Sequence, residues 1–291
     1  MSKVYIVSAK RTAIGSFLGS LSTVHPADFG GEVVKNILEE TKFPKCELDE
    51  VIVGNILPAG LGQGVGRQVS INAGIPKEVP AYSLNMVCGS GMKSIMNAYG
   101  NIKAGISNAI IAGGTENMSM IPMTGYKLAP SYQANMENLN YHVGMGATAE
   151  AVAAKYKITR EAADVFSYHS HKKAAEAIDA GKFANQIVPV TVEEVFVAGG
   201  QRKTKSHTVA VDEGVRRDTT VEGLAKLRPA FKMKGVVTAG NASQTSDGAA
   251  FTLVVSEAMV KQLHLQPIAR LAACAVAGVD PLYMGIGPCM A

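Results

Sequence analysis

From residue 4 to residue 112, short apolar runs rich in β-branched residues alternate with segments of helical spacing. Val4-Tyr-Ile-Val-Ser8 reads as a strand. Residues 28–40 place Phe29, Val33, Val34, Ile37 and Leu38 on one helical face, with Pro26 near the start, where its fixed φ suits a first turn. Strands are predicted over 51–57, 81–87 and 109–112, the last ended by Gly113 and Gly114, with helices over 67–73 and 92–102. Such alternation demands a sheet covered by helices, because the apolar faces of the strands must be buried against another layer. The fold class is α/β.

The pattern breaks near Glu116. Residues 116–140 are rich in Met, Asn, Pro, Ser and Tyr and have no period, which marks a functional or covering segment. Helices are predicted over 147–155 and 159–180, the second capped by Thr159. A strand over 187–192, a polar hairpin to about residue 214 and a short helix over 221–226 follow. Alternation then resumes, with apolar runs over 249–255 and 268–277 around a helix at 256–263, and Cys274 is expected in the core. The expected division is an N-terminal α/β domain over 1–116, an inserted, mostly helical domain over 117–246, and a return to the sheet over 247–291.

With 47% hydrophobic residues the chain can fill a core, and its net charge of +4 is scattered. The one basic cluster, Arg202, Lys203 and Lys205, reads as a solvated loop, so no nucleic-acid partner is expected. The mild positive balance suits a phosphorylated small molecule. No apolar run reaches transmembrane length and the first residues read as a strand, so no membrane is expected. The four cysteines (Cys46, Cys88, Cys274 and Cys289) form no CxxC pair, and no metal cluster is visible. Free thiols imply a reducing compartment, most simply the cytoplasm.

The chemistry concentrates in Asn85-Met-Val-Cys-Gly-Ser-Gly-Met92. An apolar strand runs into a cysteine, glycines flank a serine, and a helix follows. Glycines permit the sharp turn that exposes a nucleophile, and a helix start favours an anion such as a thiolate. Read alone, the motif leaves a nucleophile and a buried structural cysteine both open. Six histidines (His25, His142, His169, His171, His207 and His264) could supply a base, but none sits in a glycine-rich motif and each reads as a surface residue. The glycines over 60–66 do not follow the strand that a dinucleotide site requires.

These residues resemble the thiolase family. V-C-G-S-G over 87–91 is similar to its acyl-accepting motif, and S-A-K-R-T-A-I-G over 8–15 to its N-terminal strand and turn. G-N-I-L-P-A-G-L-G-Q-G over 54–64, A-G-G-T-E-N-M-S over 112–119, M-G-A-T-A-E over 145–150, L-R-P-A-F over 227–231, T-A-G-N-A-S over 238–243 and D-G-A-A over 247–250 follow in order. G-V-D-P and M-G-I-G-P close the series between 278 and 288.

The resemblance implies a layered α/β/α fold with an inserted loop domain that holds coenzyme A. It implies condensation of two acetyl-CoA to acetoacetyl-CoA plus CoA, or the reverse thiolysis, through an acyl group on Cys88. Coenzyme A thioesters are then substrates and no cofactor is needed. By motif position Arg216, Leu227, Phe231, Ala239 and Ser243 would line the nucleotide and pantetheine path, with Met145 and Met284 near the pantetheine end. A homo-oligomer, dimer or tetramer, is also implied. The family continues to N-E-A-F, G-H-P and C-G-G-G motifs that supply the base and a second cysteine, and none of them occurs in this sequence. The C-terminal half is therefore expected to be only begun, with turnover impaired. Two other readings stand beside it: a non-catalytic coenzyme A-binding or interaction protein, and a cysteine hydrolase with a distant histidine.

Overall fold

A computed structural model describes residues 3–291. In chain order the elements are β1 (Val4–Arg11), β2 (Gly15–Ser16), α1 (Pro26–Thr41), β3 (Glu50–Gly54), α2 (Val65–Asn72), β4 (Ala81–Leu84), α3 (Ser90–Lys103) and β5 (Ala109–Asn117). There follow α4 (Tyr132–Glu137), α5 (Met145–Tyr156), α6 (Arg160–Asp179), β6 (Val190–Ala198), β7 (Gln201–Val209) and α7 (Val221–Ala225). The last are β8 (Ser246–Ser256), α8 (Glu257–Gln262), β9 (Ala269–Leu271) and α9 (Gly287–Met290).

The chain forms two compact units. The first runs to Tyr126 and includes Phe183–Gly214 and Thr245–Cys274; the second comprises Lys127–Lys182, Val215–Gln244 and Ala275–Ala291. The boundaries expected at 116/117 and 246/247 therefore shift. The β6–β7 hairpin, read as part of the insertion, joins the sheet unit. Arg11 explains why: its N–H donates to the Gln186 carbonyl at 2.9 Å, its carbonyl accepts from Val188 at 2.8 Å, and its guanidinium forks onto Asp212 at 2.7 and 3.0 Å.

In the first unit the strand order is β4-β3-β5-β8-β1-β9, with β2 added alongside β8. β3 runs parallel to β4 and β5, and β8 runs antiparallel to β5 and β1. Both faces of the sheet are covered. Val51, Val53, Ile111, Phe251 and Leu253 pack with Phe29, Val33 and Ile37 of α1 and Val69 of α2. Ile52, Ile110 and Val254 pack on the other side with Ala98 and Ile102 of α3. Burial on two faces is why these strands read as continuous apolar runs and not as alternating ones. The layered α/β arrangement expected from the sequence is present.

Several local expectations change. Gly113 and Gly114 lie inside β5 and do not end it, because β8 closes against them: a Cβ on Gly113 would sit 2.1 Å from the Ala250 carbonyl oxygen. The apolar run over 268–277 forms a strand only at Ala269–Leu271, paired with β1 alone, and Cys274 is exposed and not in the core. An edge strand with one partner has no second ladder to extend it. The basic cluster over 202–205 lies on β7 and is exposed. His25 caps α1, its Nδ1 accepting from the Ala27 N–H at 3.2 Å, and Thr159 caps α6 as predicted. Among the described residues no helix is long and apolar enough to cross a membrane.

Candidate active site

β4 ends at Leu84 and α3 begins at Ser90, so residues 85–89 turn the chain sharply and leave Cys88 exposed. The residue before it, Val87, has φ 47°, the left-handed region that a β-branched side chain rarely enters. Such strain persists only where the surroundings hold it. Here two side chains do so. The Asn85 Oδ1 accepts from the Val87 N–H at 2.9 Å. The buried Ser90 hydroxyl accepts from the Met86 N–H at 2.8 Å and donates to the Val87 carbonyl at 2.6 Å. Loss of that hydroxyl strands the Met86 N–H, so Ser90→Ala is expected to destabilise the fold by about 1–3 kcal/mol, measured by urea denaturation.

Three glycines seat the turn on the sheet. A Cβ on Gly54, at the end of β3, would lie 2.5 Å from the Ser90 carbonyl carbon and 2.6 Å from the Gly91 nitrogen. One on Gly114 would lie 3.0 Å from the Gly54 oxygen and 3.2 Å from the Gly91 Cα. Backbones therefore meet where side chains would keep them apart. The Glu116 carboxylate adds a mooring: it accepts from the N–H groups of Ile56 at 2.7 Å and Leu57 at 3.1 Å, and from the Asn55 amide at 2.9 Å. Burial raises its pKa, against the opposite pull of these hydrogen bonds. The Ile56 carbonyl in turn accepts from the Asn85 amide at 3.2 Å, so β3, β5 and the Cys88 turn share one polar network.

The other predicted site residues all lie in the second unit, and all are exposed. Two of them rest on glycines that adjoin another of them in sequence. The Phe231 ring rests on Gly146, beside Met145, so closely that a Cβ there would lie 2.2 Å from it. Leu227 packs on Gly240, beside Ala239, where a Cβ would lie 2.5 Å from the Leu227 Cδ1. Met284 sits in a 3₁₀ turn, Pro281–Ile286, that packs on α5, with the Lys155 ammonium 3.9 Å from the Tyr283 ring centre. The Arg216 N–H donates to His171 Nδ1 at 3.2 Å, and the residue is exposed. The Ser243 hydroxyl has only a 3.5 Å approach to the Gln244 carbonyl. An open depression of about 480 Å³ is lined by Arg228, Phe231, Lys232, Met233 and Lys234.

A family model for the thiolase N-terminal domain matches residues 4–258. The chain belongs to the thiolase family. It is 45% identical to the acetyl-CoA acetyltransferase of Pseudomonas aeruginosa, over 99% of this chain and 75% of that protein. The crystal structure of the Bacillus anthracis acetyl-CoA acetyltransferase matches it with a TM-score of 0.87 at 38% identity, covering 99% of this chain and 74% of that one. Human mitochondrial 3-ketoacyl-CoA thiolase in complex with CoA matches with a TM-score of 0.85 at 35% identity, covering 98% and 73%.

In this thiolase the sequence pointed to Cys88 and missed what holds it. Asn85, Ser90 and Glu116 all lie within the segments quoted from the sequence, but no holding role was read for any of them. The cations around Phe231 were also passed over, although their spacing, Arg228, Lys232 and Lys234, was on view. The histidines divide by unit: His25 caps a helix, His207 lies 3.8 Å from Glu194, and His171 takes the Arg216 N–H.

Proposed function

We propose that this thiolase transfers acyl groups of coenzyme A thioesters through an acyl-Cys88 intermediate, joining two acetyl-CoA to acetoacetyl-CoA plus CoA or cleaving in reverse. The observation that carries the reading is the exposed cysteine on a strained turn clamped by Asn85 and Ser90. The names of similar proteins support it, and they divide between acetyl-CoA acetyltransferase and 3-ketoacyl-CoA thiolase.

In the first half-reaction the Cys88 sulfur attacks the thioester carbonyl carbon. The carbon–sulfur bond to coenzyme A breaks, and coenzyme A leaves as a thiol with the proton that Cys88 gives up. In the second, another acetyl-CoA gives up a proton from its methyl carbon, and that carbon bonds to the carbonyl carbon of the Cys88 thioester. The carbon–sulfur bond to Cys88 breaks and the departing sulfur regains a proton, so that the proton released and the proton taken up balance. The coenzyme A is taken by Arg216, Leu227, Phe231, Ala239, Ser243, Met145 and Met284. Arg228, Lys232 and Lys234 around Phe231 give that region the positive charge a phosphorylated ligand needs. The working form is a homo-oligomer.

Intact-mass spectrometry after incubation with acetyl-CoA tests this. Wild type is expected to gain one acetyl group and Cys88→Ser none; no gain on wild type overturns the acyl-enzyme. A companion change tests the binding half. Gly146→Ala drives a methyl into the Phe231 ring and is expected to raise the acetyl-CoA concentration for half-maximal loading about tenfold, or about 1.4 kcal/mol.

A further inference from the structure

A buried polar chain in the second unit ties α6 to the two stretches that carry Leu227 and Ala239. Its centre is Asp164, whose side chain is 2% exposed. One carboxylate oxygen accepts from Arg160 Nε at 2.7 Å and the other from the Asn241 amide at 2.9 Å. Arg160 continues outward, its Nη2 donating to the carbonyls of Leu224 at 2.6 Å and Leu227 at 3.1 Å, at and just beyond the end of α7. Asn241 continues the other way: its Oδ1 accepts from the Thr238 N–H at 2.8 Å and its amide also donates to the Val236 carbonyl at 2.9 Å. Glu150, buried on α5, takes the N–H groups of Val236 at 3.1 Å and Val237 at 2.8 Å. The Ala230 N–H donates to the Val237 carbonyl at 2.9 Å, which attaches the segment before Phe231 to the same frame.

Buried ion pairs are weak devices for stability, because desolvation consumes most of the Coulombic gain and well-packed apolar replacements often fold as well. What such a chain of bonds supplies is register. The outer bonds of the chain end on backbone groups, and together they fix where 224–227 and 236–241 stand relative to α6.

We propose that Asp164 and Asn241 are positioning residues for coenzyme A binding: they set the spacing between the Leu227 and Ala239 stretches that grip the ligand, without touching it. The inference rests on the coenzyme A reading given above. A ligand that must lie along both stretches loses affinity when either drifts, whereas the reacting sulfur is unaffected once the ligand is bound.

The test is isothermal titration of the full chain with coenzyme A, beside acetyl loading at saturating acetyl-CoA. Asp164→Asn sets one amide against a donor, and Asn241→Asp sets two carboxylates face to face. Each single change is expected to raise Kd about tenfold, equivalent to about 1.4 kcal/mol, with the saturated loading rate held within about twofold. The double exchange, Asp164→Asn with Asn241→Asp, restores a donor–acceptor pair between the two positions but turns a carboxylate oxygen on the Val236 carbonyl and takes the charge from beside Arg160. Its Kd is therefore expected to fall below that of Asn241→Asp alone and to stay above wild type. Folded single variants that bind with wild-type Kd overturn the proposal, as does a double exchange no better than Asn241→Asp alone. If the singles fail to fold, Arg160→Lys keeps the charge on Asp164 and gives up the fork to Leu224 and Leu227; a wild-type Kd there also overturns it. Wild type that binds no coenzyme A would overturn both this inference and the coenzyme A reading, whereas wild type that binds with unaffected variants overturns this one alone.

Discussion

Serine in place of Cys88 is expected to lower acetyl uptake from acetyl-CoA by at least about a thousandfold, the scale on which a nucleophile acts. A serine hydroxyl is a far weaker nucleophile than a cysteine sulfur, and the turn supplies geometry, not a compensating base. The fold should not notice the change. Cys88 is exposed, and the clamps on its neighbours run through Asn85 and Ser90, so stability is expected to stay within about 0.5 kcal/mol. Rapid-quench mass spectrometry gives the rate and urea denaturation the stability. Uptake by Cys88→Ser at the wild-type rate would move the nucleophile elsewhere.

Gly54→Ala is expected to damage both quantities. The new Cβ would lie 2.5 to 2.7 Å from backbone atoms of Ser90 and Gly91, which have no flexible end to swing aside. The first turn of α3 must move, at a cost of about 1–3 kcal/mol for overpacking. That turn carries the Ser90 hydroxyl that holds Met86 and Val87, so Cys88 moves with it. A displacement of about 1 Å in a reacting group costs about a hundredfold in rate, and loading is expected to fall by that much. Gly100→Ala, on the same helix, is the control. A Cβ there meets nothing within 4 Å, and it is expected to stabilise the chain by about 0.5–1 kcal/mol without slowing the loading. A Gly54→Ala chain that loads as fast as wild type would sever the glycine contact from the site.

The sequence disclosed those features that depend on local pattern. Continuous apolar runs announced strands buried on two faces, and the glycine-flanked cysteine announced a turn. It concealed those that depend on a distant partner. Gly113 and Gly114 look like a stop until β8 is seen lying against them. Cys274 sits in an apolar run and still lies exposed, beyond the end of β9, which among the described residues pairs with β1. The hairpin's allegiance to the sheet rests on Arg11, far away in sequence, reaching Gln186 and Asp212. The strain at Val87 has no compositional mark at all, since valine there would be read as one more strand residue.

Exposure does not single out Cys88, for all four cysteines are free and exposed. What separates it in the structure from Cys46, Cys274 and Cys289 is the clamped turn before α3. The most direct measurement is therefore proteolytic mapping of the acetyl group by tandem mass spectrometry after brief exposure to acetyl-CoA. The expected result is acetyl on the peptide carrying Cys88 and on no other cysteine peptide. Acetyl on Cys46, Cys274 or Cys289 with Cys88 bare would contradict the acyl-Cys88 intermediate.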